Sequence, residues 1–172
     1  DGHSGIQLVD VLGFLLDTCH GMIYLHSHGI IHRDLKPGNL LLSSDGSRSC
    51  EFTVQVADFG GSRFAQNVDE ADVLTMTAGM GTPAYEAPEC ISGTERVSRY
   101  SSAVDVYSFA LTAWACVNRD TPFATEPGSP WELRAKIADG LRPEIDSAAF
   151  DCYACSDVDL FVFKGSQAIS KY

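Results

Sequence analysis

Residues 104–117, VDVYSFALTAWACV, are apolar nearly all the way round a helical wheel, and a helix of that kind must be buried on every side. Such a helix cannot lie on a surface, so the rest of the chain has to wrap around it. Ser102 and Asp105 stand three residues apart at its start and can form a capping box. The chain has the means to surround it. Its 172 residues are 45% hydrophobic and 20% charged, the composition of one globular domain. A chain of that size can bury roughly 70% of the surface it exposes when unfolded, without disulfides or metals.

Charge narrows the classes of function. Twelve basic residues stand against 23 acidic ones, giving a formal charge of −11 and a pI near 4.6. That balance argues against a nucleic-acid partner or an anionic membrane surface. No run of about 18 apolar residues occurs, so no membrane span is expected. DGHSGIQLVD at the N-terminus lacks the basic and apolar regions of a signal peptide, and the absence of an initial Met suggests a piece of something longer. Six scattered cysteines and no N-x-S/T sequon fit a reduced, intracellular, cytoplasmic setting.

From Leu8 onward, apolar residues at 8, 12, 15, 16, 19, 22 and 23 predict an amphipathic helix, with Asp10, Asp17 and Thr18 off the stripe. It should end near residues 26–29, with Gly29 as left-handed cap. Two short strands are expected around a Pro37-Gly38 break, one at 29–32 and one at 39–42. Phe52, Val54 and Val56 alternate with polar residues and predict a half-buried strand. Residues 58–84 lack periodicity and read as a long loop. A last helix of about ten residues is bracketed by Ser129, Pro130, Glu132 and Gly140.

The chemistry concentrates in His32-Arg33-Asp34-Leu35-Lys36-Pro37-Gly38-Asn39, followed by Asp58-Phe59-Gly60. Phosphoryl transfer asks a protein for an acceptor of the hydroxyl proton, cations against phosphate charge, and oxygen ligands for Mg²⁺. Asp34 can take the first role, Lys36 the second, and Asn39 with Asp58 the third. His26, His28 and His32 could suggest a metal cluster, a reading that the residues alone leave open. Cys152 and Cys155 lack the second pair of a zinc knuckle, and residues 69–72 lack the Gly and terminal Glu of an EF-hand loop.

HRDLKPGN, DFG, GTPAYEAPE at 81–89 and DVYSFA at 105–110, in that order, resemble the eukaryotic protein kinases, serine/threonine type, and within them the tyrosine-kinase-like group. The resemblance implies an α+β, mainly α fold: the larger C-terminal lobe, helical with a short β-hairpin region, and truncated. Residues 1–145 would form this partial domain, and 146–172 a divergent tail. ATP and Mg²⁺ would be the cofactors and a protein the substrate. By resemblance Asp34 is the catalytic base, Lys36 the γ-phosphate contact, Asn39 and Asp58 the metal ligands, and Leu41 the floor beneath adenine. Thr82 would bridge to Asp34 and Lys36. Arg33 would receive a phosphorylated activation loop, with Thr75 and Thr77 the candidate phosphosites. His32 and Phe59 would stack in an internal spine anchored on Asp105, which competes with the capping-box reading of that residue.

The family's Gly-rich loop, strand lysine and helix glutamate are not found ahead of residue 1, so an N-terminal lobe is expected in a longer product and little activity from this chain alone. At the other end, the arginine that would pair with Glu89 has no counterpart, and apolar surface is expected to be exposed around the central helix. Glu86, where an apolar residue is usual, is expected to leave the catalytic groups untouched. Two readings stay open: the catalytic lobe of a serine/threonine kinase, or a non-catalytic scaffold that keeps the lobe to bind another protein.

Overall fold

The computed structural model describes residues 6–44, 52–64, 73–74, 81–91, 98–99 and 101–145. The first helix is α1, Leu8–Ser27. Its start is set by the Gln7 amide, which donates to Asp10 Oδ2 at 2.8 Å. His26 lies in the last turn and Gly29 takes φ 69°, a conformation that costs any other L-residue.

The buried face departs from the expected stripe. Leu8, Val11, Leu15, Thr18, Met22 and Leu25 point inward, while Leu16 and Ile23 are exposed. The seam can pass through Thr18 because its hydroxyl donates to the Phe14 carbonyl at 2.8 Å, leaving no unsatisfied polar group. Averaged over eighteen residues, α1 is also long and apolar enough to cross a membrane, which corrects the expectation that no segment qualifies. Asp10, Asp17 and His20 break the contiguous run without lowering the average enough. Here the helix packs on protein. Asp17 Oδ2 accepts the Val54 amide at 3.1 Å, and Gly21 comes so near that a Cβ would lie 3.0 Å from Val56 Cγ2.

Three antiparallel ribbons follow. β1 (Ile30–Ile31) pairs with β4 (Arg63–Phe64), β2 (Leu40–Ser43) with β3 (Thr53–Val56), and β5 (Val73–Leu74) with β6 (Ser98–Arg99). Leu40 stands opposite Val56, and Val54 is buried. The stretch 58–84, expected to be a loop, carries β4, β5 and two single 3₁₀ turns, Phe59–Gly61 and Pro83–Tyr85. Elements of two or three residues are too short to leave a period in the sequence. The single turn α2, Pro88–Ile91, is likewise too short to leave a period in the sequence.

α3, Ala103–Asn118, is the central element. Val104, Tyr107, Leu111 and Ala115 pack with Tyr85 and Ile137 on one side. Ala113 and Val117 meet Val11 and Leu15 of α1 on another. It is not buried on every side, since Val106 is 51% exposed. Nor does the capping box form. Ser102 makes no side-chain cap bond, Ser101 Oγ accepts the Ala103 amide at 3.2 Å, and Asp105 turns inward. α4, Pro130–Ala138, is as predicted: Ser129 Oγ accepts the Glu132 amide at 3.3 Å, Glu132 Oε2 accepts the Ser129 amide at 2.6 Å, and Gly140 takes φ 102°. The described residues are thus mainly helical with short β-ribbons.

Candidate active site

The loop 32–39 is held from below by one carboxylate. Asp105 is 1% exposed. Its Oδ2 accepts the His32 amide at 2.9 Å and its Oδ1 the Arg33 amide at 2.8 Å, while His26 Nε2 lies 2.8 Å from Oδ2. Two successive amides can aim at one carboxylate only if the chain turns sharply, and Arg33 has φ 73°. Asp105 is therefore an internal anchor, and the capping reading falls. His32 is fully buried. The Asp34 amide donates to its Nδ1 at 3.3 Å, so the proton sits on Nε2, which donates to the Ala57 carbonyl at 3.0 Å. Phe59 meets the His32 ring edge-on, centroids 5.5 Å apart.

Above this anchor the side chains of Asp34, Lys36, Asn39 and Thr82 converge. Lys36 Nζ donates to Asp34 Oδ2 and to Thr82 Oγ1, both at 2.7 Å. The Thr82 amide and hydroxyl donate to Asp34 Oδ1, both at 3.2 Å. Asn39 Nδ2 donates to the Asp34 carbonyl at 2.7 Å and to Oδ2 at 3.1 Å. Burial pushes the Asp34 carboxyl up, but the bonds from Lys36 and the Thr82 amide, the Lys36 charge and the Asn39 bond together hold it below the usual aspartate value. Asp34 is thus ionised at neutral pH and a weak base, better at orienting a hydroxyl than at removing its proton early.

Asn39 spends its amide nitrogen on Asp34, which leaves its oxygen for a cation. The Asn39 main-chain carbonyl accepts the amide of Ala57, the residue before Asp58, at 2.9 Å. Asp58 is exposed, with φ 63°, and its Oδ1 accepts the Gly60 amide at 3.3 Å. Two hard oxygen donors suit Mg²⁺, which takes its remaining ligands from water and phosphate. Among the described residues no cluster of three or more His, Cys, Asp or Glu could cage a metal. The three histidines are spent elsewhere, His28 Nδ1 lying 2.8 Å from the Tyr24 carbonyl.

Leu41, on β2, is 55% exposed. A cavity of about 470 Å³ opens beside Lys36, bounded by Gly38, Tyr85, Cys116, Arg119 and Asp120. Arg33 lines a much smaller one with Gly81 and Glu86. Glu89 is exposed and ion-pairs with none of the described residues. Thr75, Thr77, residues 69–72 and the tail 146–172 with Cys152 and Cys155 lie outside the described residues.

The sequence model of the protein kinase domain matches residues 3–146. The chain belongs to the protein kinase family. The relatives described next are of the serine/threonine type. A probable serine/threonine-protein kinase of Dictyostelium discoideum is 39% identical over 135 residues, 78% of this chain and 8% of the relative. The serine/threonine-protein kinase VIK of Arabidopsis thaliana is 36% identical over 146 residues, 84% of this chain and 31% of the relative. The serine/threonine-protein kinase mos of Gallus gallus is 31% identical over 150 residues, 87% of this chain and 39% of the relative. The chain therefore spans well under half the length of these kinases.

Two features of this kinase domain carried no signal in the sequence. His26 reaches Asp105 across 79 positions. Arg134 Nε donates to Glu86 Oε2 at 2.7 Å across 48 positions, with both side chains largely buried.

Proposed function

We propose that this chain is the C-terminal lobe of a protein serine/threonine kinase, which transfers the γ-phosphate of ATP to Ser or Thr hydroxyls of proteins together with an N-terminal lobe from a longer polypeptide. The observation that carries the proposal is the convergence of Lys36, Asn39 and Thr82 on the carboxylate of Asp34, from positions up to 48 residues away in the chain. Bound Mg²⁺ would neutralise charge on the phosphates; Asn39 and Asp58 would hold it. Asp34 orients the acceptor hydroxyl and takes its proton late. Lys36, already aimed at the same point, meets the negative charge that grows there. The exposed Leu41 offers adenine an apolar floor, and the cavity beside Lys36 admits an acceptor segment.

Residues 1–145 form the domain in this reading, and Arg33 with Thr75 or Thr77 forms its regulatory pair. A reduced, cytoplasmic setting is part of this reading, and the free Cys19, Cys90 and Cys116 are compatible with it. The scaffold alternative has no comparable support, because binding alone does not require three side chains to share the Asp34 carboxylate. The deciding experiment is phosphate incorporation from Mg-ATP into a Ser/Thr-containing protein by the full-length product. Asp34→Asn should lower it roughly 100-fold or more, and this chain alone should show none. Equal incorporation by Asp34→Asn defeats the proposal.

A further inference from the structure

The turn 81–86 delivers Thr82 to Asp34, and it is fastened at both ends by a single side chain. Arg134, on α4, donates through Nε to Glu86 Oε2 at 2.7 Å and through its terminal nitrogen to the Gly81 carbonyl at 3.2 Å. Gly81 immediately precedes Thr82, whose amide and hydroxyl grip Asp34. Glu86 closes the Pro83–Tyr85 turn. The two ends of the turn therefore meet the two arms of one guanidinium, a geometry that its planar fork supplies and an ammonium does not. Glu86 is 7% exposed, and a carboxylate so placed needs that cation. α4 in turn is held in register by its own capping box and by Ile137, which is fully buried. Ser108 Oγ, from the central helix, donates to the Tyr85 carbonyl at 2.8 Å and fastens the middle of the turn.

We propose that Glu86 and Arg134 are positioning residues for the phosphoryl-transfer site: Arg134 staples the 81–86 turn so that Thr82 keeps its bonds to Asp34 and Lys36. The substitution of Glu for an apolar residue at 86, which the sequence alone leaves without consequence, is on this account coupled to the chemistry through one arginine. The kinetic consequence rests on the kinase reading above; the mechanical claim does not.

The test is hydrogen exchange at the Thr82 amide in this chain, compared with the His32 and Arg33 amides that Asp105 holds. Arg134→Met leaves Glu86 buried and uncompensated and is expected to unfold, so the decisive variant is the double change Glu86→Met with Arg134→Met, which removes both charges at similar volume. It should melt within a few degrees of the parent, yet exchange at Thr82 about tenfold faster or more, with His32 and Arg33 unchanged. Arg134→Lys, keeping the charge but not the fork, should also speed Thr82. Exchange at Thr82 that is unchanged in the double variant, or that rises only in step with His32 and Arg33, overturns the staple. In the full-length product the same double variant should lower kcat about tenfold with KM for ATP unchanged. A product whose parent form transfers no phosphate defeats the kinase reading, while the exchange result still decides the staple.

Discussion

The two segments that carry the proposed magnesium ligands are held in unlike ways. The loop 32–39 is tied by bonds that span the chain: Asp105 to the amides of His32 and Arg33, Thr82 to Asp34, Leu35 packed with Met22 and Leu25. The segment 58–61 is tied mainly to itself. The Gly60 amide reaches back to Asp58, and Ser62 Oγ donates to the Phe59 carbonyl at 2.8 Å, while Phe59 remains 46% exposed. Its link outward is the edge of the His32 ring. One half of the site is therefore built before any ligand arrives, and the other is free to be set by whatever binds above it.

The largest break in this contrast comes from Asp105→Ala. It strands the buried His32 amide, the part-buried Arg33 amide and His26, and should cost roughly 3–5 kcal/mol in denaturant unfolding. Next is Phe59→Ala, which removes a half-exposed edge contact and should cost about 1 kcal/mol or less. If the two losses match, the segments are equally anchored and the contrast fails.

A smaller effect sharpens the account of Asp34. Its lowered titration contributes stability that is complete above the ordinary aspartate range and is lost as pH falls through the lower folded value. Lys36→Met removes a bond and a charge that depress it. Carbon-detected NMR titration should then show Asp34 moving upward, and acid unfolding should begin at higher pH. The smallest effect is expected of Mg-ATP on this chain alone, a melting shift below about 1 °C. A clear stabilisation would show that 58–61 is already organised for nucleotide.

Much of this was legible beforehand where the signal is local. Ser129 and Glu132 announce α4 because a capping box is written within four residues. Gly29 marks the end of α1, and Asp34, Lys36 and Asn39 lie within one loop, so their meeting needs only that loop's curvature. What stayed hidden depends on burial or on distance along the chain. The inward face of α1 turned on whether Thr18 could satisfy its hydroxyl, which is decided by a carbonyl and not by hydropathy. Asp105 had a local partner available in Ser102 and declined it for amides more than seventy residues away. Of α3 only Val106 is an exposed large apolar residue, whereas α1 exposes a row through Val9, Leu16 and Ile23. Residue lists alone could not say which helix would lose the competition for cover.

The bonds from Asp105 to His32 and Arg33 span 73 and 72 positions. Closing a loop of that length costs entropy that only a docked central helix can offset. The left-handed turn at Arg33 therefore depends on α3, because the carboxylate at which its amides aim is supplied by that helix. The same dependence runs in reverse: undocking the start of α3 withdraws Asp105 and breaks both bonds that shape the loop 32–39, so the loop's geometry is tied to the packing of the core.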